Sequence, residues 1–210
     1  MDQEKKFSTD QELFWSGKFC EDYIKRRNNG QDLSANLSFF SNSLKNCEKT
    51  NSCIEFGSNI GMNLIALKML FPEIQLEAVE INSKAVQILI SKIPDVIAHN
   101  TSIIDLQPTK QFDLVLTKTV LIHVNPAYLN LIYEKLYNSA KKYILICEYY
   151  NPTPVSVEYR GYKDMLFKRD FAGEIMSLYQ NLKLLDYGFL YKRDKFKHDD
   201  ITWFLLEKFN

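Results

Sequence analysis

The chain has 210 residues, 46% of them apolar and 25% charged, which is enough apolar material for one domain with a full core and too much for a disordered segment. Lys and Arg together number 26, as do Asp and Glu, so no net field exists to gather nucleic acid or an anionic membrane, and neither is expected as a partner. Seven glycines and six prolines are too few for a flexible linker, so a single folding unit is expected. The opening "MDQEKKFSTDQELFW" lacks the apolar region of a secretion signal, and no later run reaches the length of a membrane span. The four cysteines, Cys20, Cys47, Cys53 and Cys147, form no C-x-x-C pair, and Cys53 and Cys147 fall inside apolar runs. A reducing, cytoplasmic setting is expected.

From residue 51, short β-rich runs alternate with helical stretches, the pattern of βαβ units and a mostly parallel sheet. Strands are predicted at 52–56, 75–80, 95–99, 112–117 and 142–148, and helices at about 60–71, 83–92 and 126–140. Asn125 and Pro126 open the last of these as cap and first-turn residue. Beyond 150 the pattern predicts a polar, proline-containing loop and a helix at about 170–182. Runs at 184–192 and 200–207 follow, joined by "RDKFKHDD", and so short a connection makes these two strands antiparallel neighbours. The expected fold is α/β and Rossmann-like: a seven-stranded, mostly parallel sheet with a C-terminal antiparallel hairpin and helices on both faces.

The first strand runs into Glu55-Phe-Gly57-Ser58-Asn59-Ile-Gly61. A dinucleotide fingerprint, G-x-G-x-x-G, needs its second glycine so that backbone can approach a pyrophosphate, and asparagine stands there instead. Gly57 still permits a tight strand-to-helix turn, and Gly61 lets the helix start close to the sheet. Such a loop suits a nucleoside cofactor without phosphates, for which Glu55 is placed to take an amino group, directly or through water. Glu80, in "AVEIN" at the tip of the second strand, stands where a ribose acceptor is expected, with Ile81 beside it. A carboxylate there accepts from both ribose hydroxyls and repels a 2′-phosphate. Ser102 and Ile103, after the third strand, offer a hydroxyl and an apolar face to an adenine ring, although a plain polar loop reads equally well.

Several blocks resemble the class I S-adenosylmethionine-dependent methyltransferases, and within them the pseudaminic acid biosynthesis-associated methylases: "FWSGKFCEDYIKRR", "EFGSNIGMNLIALK", "AVEIN", "FDLVLTKTVLIHVNP", "CEYYNPTPVSVEYRGY" and "LFKRDFAGE". The resemblance spans nearly the whole chain, and its first and last two blocks are the most specific. It implies S-adenosylmethionine as methyl donor, S-adenosylhomocysteine as product, no metal, and a nonulosonic acid sugar of the pseudaminic or legionaminic kind, free or nucleotide-activated, as acceptor at oxygen or nitrogen. Residues 1–48 are then a helical lid, with Phe14, Trp15, Tyr23, Arg26 and Arg27 over the cofactor mouth, and 49–210 the methyltransferase domain. Trp15, Thr117 and Lys118 join the expected cofactor contacts.

Methyl transfer from a sulfonium is an in-line displacement in which proximity supplies most of the rate, and a base matters when the acceptor is a poor nucleophile such as a sugar hydroxyl. His123, after the fourth strand, is one candidate base; Glu148 and Tyr149, ending the fifth, are the others. The segment at about 149–171 is expected to be a substrate loop, with Tyr150, Tyr159, Arg160, Lys168 and Arg169, alongside Tyr23, Arg26 and Arg27, gripping an acidic acceptor. The rival readings are a methyltransferase for another small metabolite, a nicotinamide oxidoreductase, which the missing glycine disfavours, and a non-catalytic partner that retains the fold.

Overall fold

The computed structural model describes residues 7–27 and 31–209. Three helices come first, α1 (Asp10–Ser16), α2 (Lys18–Arg27) and α3 (Gln31–Ser43). The alternating part follows as β1 (Ser52–Phe56), α4 (Met62–Leu70), β2 (Gln75–Val79), α5 (Ser83–Lys92), β3 (Ile97–His99) and β4 (Phe112–Lys118). Two 3₁₀ turns, Leu121–His123 and Pro126–Tyr128, lead into α6 (Leu129–Ser139) and β5 (Ala140–Glu148). Then come a hairpin of β6 (Val155–Tyr159) and β7 (Tyr162–Lys168), helix α7 (Phe171–Leu178), and strands β8 (Leu182–Leu190) and β9 (Ile201–Lys208).

Seven strands pair in the order β3-β2-β1-β4-β5-β9-β8. The first five are parallel, and β9 and β8 complete the sheet through antiparallel pairs. The chain steps outward from β1 to β3, then crosses back to lay β4 on the other side of β1. That reversal opens a crevice at the carboxyl ends of β1 and β4. The central strands are buried on both faces, as their near-continuous apolar runs require. One face packs on α6 and α7 through Ile132, Tyr133, Leu136, Phe171 and Ile175. The other packs on α3, α4 and α5 through Phe39, Phe40, Leu64, Leu67 and Leu89.

The expected α/β architecture is therefore present, and the differences are local. Of the 1–48 segment, α1 and α2 lie at the carboxyl edge of the sheet, whereas α3 places Phe39, Phe40 and Leu44 in the core beneath it. The segment expected as an irregular loop at 149–171 contains a two-stranded hairpin instead. Arg160 and Gly161 at its tip have φ of 51° and 87°, the geometry of a two-residue type I′ connection, and the alternation in "VSVEY" is the strand signal. The helix expected at 126–140 starts as a 3₁₀ turn, where Asn125 Oδ1 accepts from Ala127 N at 3.1 Å and Pro126 occupies the first position.

Candidate functional site

The loop after β1 is built by its two glycines. Gly57 sits at φ +77°, and a Cβ there would stand 2.5 Å from Val120 Cγ2; Gly61, at φ +79°, would meet Leu89 Cγ at 3.0 Å. Asn59 is also left-handed, at φ 47°, a conformation that asparagine tolerates better than most residues. Its Oδ1 accepts from Ile60 N at 2.9 Å. Its own N–H donates to Glu80 Oε2 at 2.8 Å, and Asn82 N donates to Glu80 Oε1 at 2.8 Å. Glu80 thus ties the glycine loop to the tip of β2. Burial raises its pKa while these amides oppose the rise. Each oxygen keeps a second lone pair, and the carboxylate lines the crevice.

The crevice is a cavity of about 210 Å³. Gly57, Ser58 and Asn59 line it beneath the loop; Glu80, Ile81, Ser102 and Ile103 line it at the ends of β2 and β3. Lys118, at the end of β4, contributes an ammonium whose Nζ donates to Asn36 Oδ1 at 3.4 Å. Trp15 and Tyr23 enter from α1 and α2. Glu55 is fully buried and stands behind Asn63, the residue that reaches the cavity; Asn63 Nδ2 donates to Glu55 Oε1 at 2.5 Å. Burial pushes the Glu55 carboxyl up to about 8, against the pull of Asn63 and Lys118, and its Oε2 has no hydrogen-bond partner among the described residues. Glu55 is therefore neutral near pH 7 and holds the Asn63 amide in place.

His123 ends the first 3₁₀ turn and is buried between Trp15 and Tyr159, with ring centroids 4.7 and 4.9 Å away. Its Nδ1 lies 2.5 Å from the carbonyl oxygen of Met165 in β7. A carbonyl only accepts, so Nδ1 carries the proton and Nε2 is left as an acceptor. Burial pushes the imidazole down from 6.5 to about 4. The ring is therefore neutral across the physiological range. The linkage follows from that direction. The unfolded chain takes up a proton near pH 6.5 that the folded chain refuses until about pH 4, so stability from this group is present above 6.5 and is lost as pH falls through that window. Nuclear magnetic resonance should find the ring protons of His123 in their neutral positions down to about pH 5, and an inflection near 6.5 would contradict the burial argument.

Other expected contacts lie elsewhere. Glu148 is 3% exposed and does not line the cavity. Its Oε1 accepts from Val120 N and Leu121 N at 3.0 Å and from Thr117 Oγ1 at 3.2 Å, and Oε2 accepts from Ile122 N at 3.4 Å. It is pushed up to about 7 by burial, which these donors oppose, and it anchors the turn that presents His123 instead of reaching an acceptor itself. Thr117 is drawn into the same anchor. Tyr149 stands behind the cavity wall and hydrogen-bonds Asp199, which lines it. Tyr150 is exposed and bridges to Arg169. Arg169 donates from Nε to Glu174 Oε1 at 2.8 Å and does not line the cavity. Lys168 Nζ lies 5.5 Å from the Tyr149 ring centre, and Arg160 lies over Tyr159 at the exposed hairpin tip. The side chains of Arg26 and Arg27 lie outside the described residues.

Sequence reading missed several cavity residues. Gln11 and Glu12 on α1, Asn36 on α3, and His198 and Asp199 between β8 and β9 all line it. Only their distance in sequence hid them: each is an ordinary polar residue until the fold brings it to the carboxyl edge. No helix among the described residues is long and apolar enough to cross a membrane, and among them no cluster of side chains suited to a metal ion forms.

No protein-family model and no curated protein sequence matches the chain. Solved structures match it in fold. A magnesium protoporphyrin IX methyltransferase from Synechocystis PCC 6803, with bound S-adenosylmethionine, superposes with a TM-score of 0.69 at 11% identity, covering 98% of this chain and 100% of the other. An S-adenosylmethionine-dependent methyltransferase of Leishmania major gives 0.69 at 12% identity, covering 93% and 81%. The plantazolicin methyltransferase in complex with S-adenosylhomocysteine gives 0.66 at 12% identity, covering 95% and 94%. The chain has the Rossmann-like fold of class I methyltransferases, and at these identities the likeness is one of fold.

Proposed function

We propose that the chain transfers a methyl group from S-adenosylmethionine to a small acceptor. The observation that carries this reading is the joined loop-and-carboxylate device: a glycine turn without room made for a pyrophosphate, tied by Asn59 N–H to a buried Glu80 that still faces the cavity. The residues present fit that cofactor. Glu80 would accept from the ribose hydroxyls, Ser102 and Ile103 would flank the base, and Lys118 and Asn63 would meet the carboxylate and amine of the amino-acid arm. When bound, S-adenosylmethionine supplies an electrophilic methyl on a sulfonium. The chain's own part is to orient the acceptor and exclude water, which Trp15 and Tyr159 do by closing around His123. Neutral His123 offers Nε2 as a hydrogen-bond acceptor that orients an acceptor's hydroxyl or amine; the Met165 carbonyl fixes that tautomer, and Glu148 holds the turn that carries the ring.

The acceptor we propose is a nonulosonic acid sugar, free or nucleotide-activated. Support comes from the sequence blocks that resemble the pseudaminic acid-associated methylases. The polar wall made by Tyr23, Asn36, His198 and Asp199 is compatible with a hydroxyl-rich ligand. The solved structures, whose names mention a porphyrin and plantazolicin, contribute nothing to this choice. Purified protein should move label from methyl-labelled S-adenosylmethionine onto pseudaminic or legionaminic acid or their activated forms. Label appearing only in protein or RNA when a cell lysate is offered would overturn the sugar assignment.

A further inference from the structure

We infer that strand β8, the outer edge of the sheet, is the interface of a two-fold dimer in which it pairs antiparallel with β8 of a second copy. β8 is the last strand in the sheet, and no other strand among the described residues covers its outer side. The backbone groups there are an open template for a further strand. Side chains alternate between the two faces of β8. Leu185 and Leu190 pack into the core on the α3 side. Tyr187, Phe189 and Tyr191 take the other face, where they are 64%, 59% and 47% exposed and none joins the core beneath α6 and α7. Tyr187 stacks on Phe204 of β9 with ring centroids 6.4 Å apart, Tyr150 meets that same ring at 6.0 Å, and Phe189 meets Tyr191 at 6.2 Å. The uncovered end of the sheet is therefore an aromatic patch beside an open strand edge.

The occupant follows from the symmetry of that edge about Phe189. An antiparallel pair with its two-fold axis there places Phe189 opposite Phe189, Tyr187 opposite Tyr191 and, on the other face, Gly188 opposite Leu190. Aromatic rings meet on one face, and the missing side chain of Gly188 makes room for a leucine on the other. One step further out, Asp186 falls opposite Lys192, a pair of opposite charge. A slip of one residue sets Phe189 against Gly188 and Tyr187 against Leu190, and every match is lost. Size agrees with the same occupant. A buried aromatic side chain removes about 150–250 Å² from water, so the exposed parts of the three rings with those of Leu184 and Tyr150 amount to on the order of 500 Å² per chain. Two copies would bury roughly 1,000 Å² in side chains alone, the size at which a specific interface begins. Residues 184–191, LLDYGFLY, carry Asp186 as their single charge, and an edge of that composition left bare invites open-ended association. Pairing two such edges on one axis closes both.

Sedimentation equilibrium should show the wild-type chain passing from monomer to dimer with a Kd of about micromolar to tens of micromolar. Phe189→Lys and Phe189→Glu change a side chain that already faces water in the single chain, and each should weaken dimerisation by about 100-fold or more because like charges then meet on the axis. An equimolar mixture of the two variants should dimerise about tenfold or more tightly than either alone, since opposite charges then face each other. A misfolded variant could not produce that gain. A wild-type chain that stays monomeric at about 1 mM, or a dimer that both variants leave undiminished, overturns the interface. A mixture no tighter than the single variants overturns the axis at Phe189. None of these outcomes depends on the methyl-donor reading.

Discussion

Replacing Glu80 by alanine should weaken S-adenosylhomocysteine binding by about 100-fold or more and lower stability by roughly 2–4 kcal/mol. The two effects have one origin. The carboxylate accepts from Asn59 N and Asn82 N at 2.8 Å each, so its removal leaves two amides without a partner and frees the glycine loop from the tip of β2. The same loss takes away the acceptor for the ribose. Glu80→Gln should fall between, since the carboxamide retains one acceptor oxygen but must turn its NH₂ toward an amide N–H. Calorimetry and thermal melts on the three proteins separate the contributions. Unchanged affinity in Glu80→Ala would remove this residue from the site.

Gly57→Ala should be the most damaging small substitution in the loop. The added Cβ would stand 2.5 and 2.8 Å from the two γ-carbons of Val120, and a φ of +77° is itself unfavourable for any residue with a side chain. Val120 has little room to retreat, because its N–H donates to Glu148 Oε1 at 3.0 Å beneath the 3₁₀ turn. A loss of about 3 kcal/mol is expected, which lowers the melting temperature by roughly 6–12 °C in a chain of this size. Adding Val120→Ala should recover the larger part of that loss, because the nearest remaining contact is then 3.2 Å to Val120 Cβ. A double variant no more stable than Gly57→Ala alone would show that the backbone conformation, and not the clash, dominates.

These two positions also show what could be read before any coordinates. The absence of a second glycine was interpretable from Asn59 alone, because a pyrophosphate site has a backbone requirement that asparagine does not meet. What the sequence could not display is that Asn59 and Glu80 are hydrogen-bonded to each other across 21 positions. The five parallel strands and the late hairpin were readable for a similar reason: apolar runs bounded by turn residues depend on local pattern, and the fold obeys it. Glu148 was not. A carboxylate at a strand end resembles a candidate base until the next turn is known to aim three amides at it. That turn begins at Thr119, at a φ of +56° that threonine seldom adopts and no local pattern announces. The pairing of Arg169 with Glu174 was equally hidden: the two lie five residues apart, and only the placement of α7 brings them together. His198 and Asp199 reach the cavity from a connection near the end of the chain, a long-range event that composition cannot encode.

The reading of the cavity as a methyl-donor site rests on one binding event, and titration of the chain with S-adenosylhomocysteine in a calorimeter measures it directly. The loop, Glu80 and Lys118 together predict saturable binding at one site per chain, with a Kd of about micromolar order and no competition from NADH. No detectable heat at concentrations of about 1 mM, or displacement of the ligand by NADH, would contradict it.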